Sequence, residues 1–256
     1  MSAAAGELPG TVSGGAVRRV LEAEVARARA ARPERRPRAV DVGGGSGSWA
    51  VPLAVAGCEV TVVDVSPDAL ASLERRAREA GVHGLVTPVQ GDADQLAELV
   101  GAGLADLVLG HGLLELVDDP ARAAAALAAV AAPGAAVSVL ATSRHAAVLR
   151  HVLAGRLDEA RAVLTDPDGR YGPGDALRRR LDGPALGALL EATGRLRVEL
   201  VQGDGVLEAW LPNAVRDGGP AAVRDAAELE ELAAGVPALQ EVAARLHVLA
   251  RALPTA

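Results

Sequence analysis

The sequence predicts an α/β fold: a doubly wound, mostly parallel, seven-stranded sheet with an antiparallel edge strand and a helical cap. Two observations predict it. Short apolar runs of strand length alternate with amphipathic stretches from Arg38 to Ala141, the pattern of successive βαβ units. After Ala141 the alternation breaks, and two late apolar runs, Arg195–Val201 and His247–Leu253, are left to pair antiparallel at one edge. The 256 residues suit one domain of this kind, typically about 250 residues, and would be cramped for two.

The elements follow in order. Residues 1–14 are rich in small residues and read as a loose arm. Val17, Val20, Leu21 and Val25 fall at helix-face spacing within Ala16–Ala31. This segment and its linker to Arg38 carry eight arginines against three glutamates, either a solvated face or a substrate-side patch. Pro33 and Pro37 end it, so residues 1–37 form an arm and cap helix, and 38–256 the main domain. Arg38–Val42 is strand 1, Ser48–Ala56 a helix, Glu59–Val63 strand 2, and Pro67–Ala80 a helix with Ser66 as N-cap. Leu85–Pro88, Ala105–Leu109 and Ala135–Ala141 are strands 3 to 5. Ala123–Ala141 is mostly alanine with Pro133-Gly134 inside it, so it reads as a helix, a turn and a buried strand and not as a membrane span. Beyond strand 5, His145–Leu164 and Pro184–Thr193 are helical, Thr165–Asp182 is a loop, and cap insertions are expected at about 144–183 and 206–244. A doubly wound, Rossmann-like sheet binds ligands beyond the carboxyl ends of its strands, here around strand 1.

Composition removes several chemistries. All 26 basic residues are arginine, so a lysine nucleophile, a pyridoxal Schiff base and a Walker A loop are excluded. With only Trp49, Trp210 and Tyr171 as aromatics, a base-stacking platform is not expected. A net charge of −7 opposes generic duplex binding. The single cysteine, Cys58, excludes an internal disulfide and reads as a small buried residue. No signal-peptide pattern opens the chain, and a soluble, cytoplasmic protein is expected. His145 and His151 are six apart, off the spacing of a helical metal pair, so no metal site is expected. His247 is expected to start an edge strand.

The chemistry concentrates in Val40-Asp41-Val42-Gly43-Gly44-Gly45-Ser46-Gly47-Ser48, a strand feeding a glycine-rich turn. Such a turn brings a ligand against main-chain N–H groups. A loop that cradles a pyrophosphate would have little use for Asp41; a cofactor with a cationic amino-acid end would. Asp64 closes strand 2, 23 residues after Asp41, where a carboxylate accepts both ribose hydroxyls. Gly91-Asp92-Ala93-Asp94 after strand 3 can hold an adenine edge, and Gly110-His111-Gly112 after strand 4 lies where a transferring group would sit.

Together the DxGxGxG pattern (Asp41, Gly43, Gly45, Gly47), Asp64, the Asp92 turn, Leu113–Pro120 and Pro133-Gly134 resemble the class I S-adenosylmethionine-dependent methyltransferases. More narrowly, four segments are similar to the tRNA 5-carboxymethoxyuridine methyltransferase family: Gly15–Arg18, Leu107–Glu115, His151–Asp158 and Leu246–Arg251. Ser46 stands where that family usually has Glu. The resemblance implies S-adenosylmethionine as cofactor and contacts from Arg18, Gly43, Gly44, Asp64, Asp92, Ala93 and His111; Asp41, Gly45, Gly47 and Val65 are expected to join them. It also implies transfer to an anionic acceptor, either modified tRNA or a small anionic metabolite.

A carboxylate acceptor needs no general base but does need a cation, which Arg178, Arg179 and Arg180 of the cap loop can supply, with Tyr171 lining the pocket. Arg180 and His111 are therefore the expected catalytic pair; for an alcohol or amine acceptor, His111 would be the base. Three alternatives stand beside this: a small-molecule O- or N-methyltransferase, a non-catalytic S-adenosylmethionine-binding module, and a nicotinamide-dependent oxidoreductase. The last is disfavoured by Asp41 and by the absence of a Tyr/Lys pair.

Overall fold

The computed structural model describes residues 15–211, 215 and 218–254. The arm expected at 1–14 lies outside them, as does part of the 206–244 insertion. Seven strands form one sheet in the order β3-β2-β1-β4-β5-β7-β6. These are β1 (Arg38–Val42), β2 (Glu59–Asp64), β3 (Val86–Gln90), β4 (Ala105–His111), β5 (Ala131–Thr142), β6 (Leu196–Asp204) and β7 (Arg245–Ala252). The pairs from β3 through β5 are all parallel, and β7 runs antiparallel to both β5 and β6. The reversed strand is thus next to last and β6 takes the edge, so His247 lies in an interior strand and is fully buried.

Strand alternation distributes the core to the two faces. Val40, Val42, Val63, Val108, Val137 and Val248 point to one side and join Leu127, Leu186 and Leu190. Ala39, Val60, Val62, Leu107, Leu109 and Leu249 point to the other and meet Val17, Leu21, Val25, Leu53 and Leu73. Helix α1 (Gly15–Ala31) therefore covers the second face with α2 (Ala50–Val55) and α3 (Pro67–Glu79). Ser66 caps α3 as expected, accepting from the Ala69 N–H at 3.2 Å. Cys58 is buried in this face, and burial pushes its thiol up to about 11.

Several boundaries differ from expectation for local reasons. Helix α2 begins at Ala50, two residues late, because the glycine turn continues through Trp49. A short α4 (Leu96–Val100) follows β3. After α5 (Pro120–Val130), β5 starts at once, and Pro133-Gly134 forms a bulge. The register jumps there from Ala105↔Ala131 to Leu107↔Ala136, so Pro133 has no ladder bond to donate. The single helix expected over 145–164 is two, α6 (Arg144–Leu153) and α7 (Leu157–Thr165). Gly155, at φ +72°, breaks them apart. Helix α8 (Gly183–Glu191) precedes β6, and α9 (Gly219–Ala234) and α10 (Pro237–Gln240) lie between β6 and β7.

Two ion clusters bind the periphery to the sheet. At the amino ends, Asp106 accepts from Arg32, from Arg35 at 2.6 and 3.0 Å, and from the Arg38 N–H at 2.8 Å. Those linker arginines are a latch on the face opposite the carboxyl ends, which settles that part of the basic segment as structural. Arg251 of β7 is buried between Glu24 of α1 (2.6 and 2.8 Å) and Glu199 of β6 (2.6 and 2.9 Å). These bonds hold Glu199 below the usual carboxylate range.

Removing one member of a buried pair strands the others. Arg251→Ala should therefore cost about 3–5 kcal/mol in urea unfolding, whereas the exposed pair variant Arg78→Ala should cost less than about 1 kcal/mol. Equal losses would mean the cluster is not what fixes α1 to the sheet.

Candidate functional site

Between β1 and β4 the sheet order reverses, and the carboxyl ends of the strands open into a cleft of about 490 Å³. Of the residues expected to hold a cofactor, Gly43, Asp64, Val65, Asp92 and Ala93 line it. The wall that sequence reading missed is Leu113, Leu116, Val117 and Asp118, with Arg122 at the rim paired to Asp94 at 3.1 Å. Leu116 and Val65 are 53% and 62% exposed, a large apolar surface for residues in a cleft wall. They offer a surface suited to an apolar, planar group, and that exposure is a signal only the structure carries.

The glycine turn is built for contact. A Cβ on Gly44 would lie 2.5 Å from the Asp41 carboxylate and 2.9 Å from Val62. Gly47, at φ +81°, would drive a Cβ to 2.3 Å from Leu73 of α3. The first close approach seats the loop on β1, and the second seats it on α3. Asp64 then holds the turn in place: its Oδ2 accepts from the Gly45 N–H at 2.8 Å and its Oδ1 from the Ser66 N–H at 2.9 Å. Asp92 accepts from the Asp94 N–H at 3.1 Å, leaving buried Ala93 at the cleft floor.

Asp41 is the anomaly. It shares the side of β1 with Ala39, beneath Gly44, and is 1% exposed. Neither of its oxygens has a hydrogen-bond partner among the described residues. Burial, with a smaller contribution from the Asp64 charge, pushes its carboxyl up to about 7. A cation arriving next to the turn would stabilise the ionised form. Asp64, Asp92 and Ala93 line the cleft and Asp41 lies behind Gly44; carboxylates and a turn of this kind would suit the ribose, the base and the cationic amino-acid end of S-adenosylmethionine.

His111 ends β4 next to cleft-lining Gly112, one residue outside the cleft wall itself. Its Nε2 is 2.8 Å from Ser138 Oγ, and its ring stands edge-on to Trp49 at 4.8 Å. Burial first, then His247 and Arg245, hold its pKa well below the usual range, so the ring is neutral at pH 7. Glu115 is buried nearby; Oε1 accepts from Thr142 N–H and Oγ1, while Oε2 has no partner. Arg18 is exposed on α1 and not in the cleft wall.

The cap arginines, adjacent in sequence, have three different environments. Arg178 is exposed and paired to Asp118 at 2.8 Å. Arg179 is buried and donates to the carbonyls of Leu114, Val117 and Asp118 at 2.6 to 2.9 Å. Arg180 is buried, forked onto Asp175 and bonded to Gly169 O at 2.9 Å. Its guanidinium also lies 5.4 Å from the centre of the Tyr171 ring. Tyr171 itself donates to Gly174 O at 3.0 Å and stacks at a tilt on His151. The expectation that Arg179 and Arg180 clamp a substrate, and that Arg180 is catalytic, is therefore corrected: their donors hold the loop. A further arginine, Arg245, stands at the start of β7, held by Asp204 at 2.8 Å and 41% exposed in its side chain. Its charge reaches both His111 and Glu115. Among the described residues no group of His, Cys, Asp and Glu is placed to hold a metal, and no helix is long and apolar enough to cross a membrane.

Residues 15–191 match the methyltransferase domain family, and the chain belongs to it. It is 28% identical to the tRNA 5-carboxymethoxyuridine methyltransferase of Escherichia coli (strain K12) over 155 residues, 60% of this chain. That match spans 59% of the relative, less than two thirds of its length. It is 39% identical over 100 residues to the ubiquinone biosynthesis O-methyltransferase of Methylococcus capsulatus (strain ATCC 33009 / NCIMB 11132 / Bath), which is 39% of this chain and 41% of that protein. Its fold is similar to that of the magnesium protoporphyrin IX methyltransferase of Synechocystis PCC 6803, solved with bound SAH. The TM-score is 0.56 and the identity 16%, covering 92% of this chain and 83% of that one. The fold and family are those of the S-adenosylmethionine-dependent methyltransferases.

Two outcomes test the cleft. Asp64→Ala should weaken S-adenosylmethionine binding at least about tenfold by calorimetry, the cost of a lost charged hydrogen-bond acceptor; unchanged affinity would move the ribose site elsewhere. For Asp41, the folded chain holds a proton that the unfolded chain lacks between about pH 4 and the raised value of about 7. Its contribution to stability is therefore lost as pH rises through that window. Asp41→Asn should gain on the wild type between pH 5 and pH 8, by about 1–3 kcal/mol. A pH-independent difference would place that titration outside the turn.

Proposed function

We propose that this chain is an enzyme that transfers the methyl group of S-adenosylmethionine to an anionic acceptor, the carboxylate of 5-carboxymethoxyuridine in tRNA. The observation that carries the reading is the cleft at the strand reversal, where an unpartnered buried carboxylate lies under the glycine turn and Asp64 closes β2. When bound, S-adenosylmethionine supplies a methyl group already activated by its sulfonium. The chain's own work is then to align the acceptor in line, exclude water and hold charge. A carboxylate is ionised at neutral pH and asks for a cation, not a base. Arg245, steadied by Asp204 and half exposed at the carboxyl ends, is the residue we assign to hold it, with exposed Arg178 at the entrance. The tRNA acceptor rests on the similarity to the Escherichia coli enzyme, and with it a cytoplasmic location. A second reading, a small-molecule O-methyltransferase, is favoured by the higher identity to the Methylococcus capsulatus protein and by the net charge of −7.

The test is transfer of labelled methyl to total tRNA from a strain lacking this gene, followed by mild alkali. Label on tRNA that alkali releases is the expected result. No label on tRNA, with S-adenosylmethionine still bound, would hand the chain to the small-molecule reading. In the same assay Arg245→Gln should raise the acceptor KM about tenfold, as loss of one charged hydrogen bond does. Its affinity for S-adenosylmethionine should stay unchanged; an unaltered KM would leave the anion without its proposed clamp.

A further inference from the structure

Besides Asp41 and Arg251, one face of the sheet carries four polar side chains on four neighbouring strands. His111 of β4, Ser138 of β5, His247 of β7 and Gln202 of β6 all share the face of Leu107, Ala136, Leu249 and Leu200. Ser138 and His247 are fully buried and Gln202 nearly so. They touch in sequence: His111 Nε2 to Ser138 Oγ at 2.8 Å, Ser138 Oγ to His247 Nε2 at 2.8 Å, and His247 Nδ1 to Gln202 Nε2 at 2.9 Å. Buried polar groups on an apolar face are costly unless each finds its partner. Here every contact is made except one, His111 Nδ1, which is buried with no partner among the described residues.

The direction of each bond follows from the donor inventory. An amide nitrogen only donates. With the amide nitrogen of Gln202 facing it, His247 Nδ1 accepts from Gln202, and its one hydrogen sits on Nε2. That hydrogen goes to Ser138 Oγ, so the single hydroxyl hydrogen of Ser138 points at His111 Nε2. His111 Nε2 accepts, and the ring's remaining hydrogen is on Nδ1. Both rings are neutral: burial lowers His247 to about 4, and burial with its neighbours holds His111 well below its ordinary value. Arg245 is the charged group whose field both supports this neutrality and borders the site.

We infer that Gln202, His247 and Ser138 are positioning residues that fix His111 in the Nδ1–H tautomer, so that His111 takes no proton at the carboxyl ends of the strands and the acceptor's nucleophilic atom arrives already ionised. This deepens the methyltransferase reading and rests on it. Neither ring nitrogen of His111 is available as a base: Nδ1 is protonated and Nε2 is occupied. An unionised alcohol or amine would find no proton acceptor there, whereas a carboxylate needs none.

The experiment is a two-bond ¹⁵N–¹H correlation spectrum of the whole, ¹⁵N-labelled protein at neutral pH, with SAH affinity measured by calorimetry on the same samples. The wild type should show His111 in one tautomer, hydrogen on Nδ1. Ser138→Ala should release it into a mixture. Gln202→Glu, whose carboxylate accepts from His247 Nδ1, should reverse every bond and move the His111 hydrogen to Nε2. SAH affinity should change by less than about twofold in both variants, a difference well under 1 kcal/mol. A wild-type hydrogen on Nε2 overturns the inference, and so does an Nδ1 hydrogen that survives both substitutions. Alkali-stable methyl in the product of a wild type bearing the Nδ1 hydrogen overturns the ionised-acceptor half. If the wild type binds no SAH, the methyltransferase reading fails by itself, and the tautomer result still decides the relay.

Discussion

The reversal of strand order between β1 and β4 is the constraint from which the site follows. Crossovers to one side of β1 and to the other side of β4 leave the carboxyl ends of these strands uncovered. A chain leaving β1 there has to turn sharply, stay close to the sheet and reach α2. The glycine turn does this by packing: Gly44 presses on Asp41 and Val62, Gly47 on Leu73. A side chain at either position would have to displace these neighbours, and at Gly47 the positive φ adds backbone strain.

Charge is arranged differently at the two ends of the sheet. At the amino ends Asp106 accepts from three neighbours, and on the far strands Arg251 is held by Glu24 and Glu199. These charges are satisfied, and they tie α1 and the linker to the strands. At the carboxyl ends, Asp41, one oxygen of Glu115 and Nδ1 of His111 are buried without partners. Each such group costs roughly 1–3 kcal/mol when left unmade. Three of them at one end of one sheet add nothing to stability, and they support the proposal that ligands bind there.

How far the sequence could be read depended on range. The glycine turn, Asp64 and the Asp92 turn are local patterns, and each stands at its expected place in the fold, because a strand, its turn and the carboxylate that closes the next strand lie within one βαβ unit. The cap arginines were misread for the opposite reason. Arg178, Arg179 and Arg180 are identical as letters, yet the loop folds back on 113–118 and gives one to solvent and two to buried carbonyls and a carboxylate. No spacing rule within 165–182 carries that information. Arg245 lies at the start of β7, beside Thr142 only because β7 inserts between β5 and β6. The polar ladder was half legible: Ser138 and His247 are polar at inward positions of apolar strands, but their pairing requires the strand order.

Arg179 also joins what the sequence separates. Its three bonds run to Leu114, Val117 and Asp118, and the last two of these residues line the cofactor cleft. The next residue, Arg180, holds Asp175 and Gly169 and so sets the loop that carries Tyr171. The backbone between them spans one peptide bond. Both guanidinium groups are buried, so one short segment is tied on one side to residues of the cleft wall and on the other to the Gly169–Asp175 turn. Two adjacent arginines are thus consumed inside the fold, and their work is to pack the cap loop against the cleft wall.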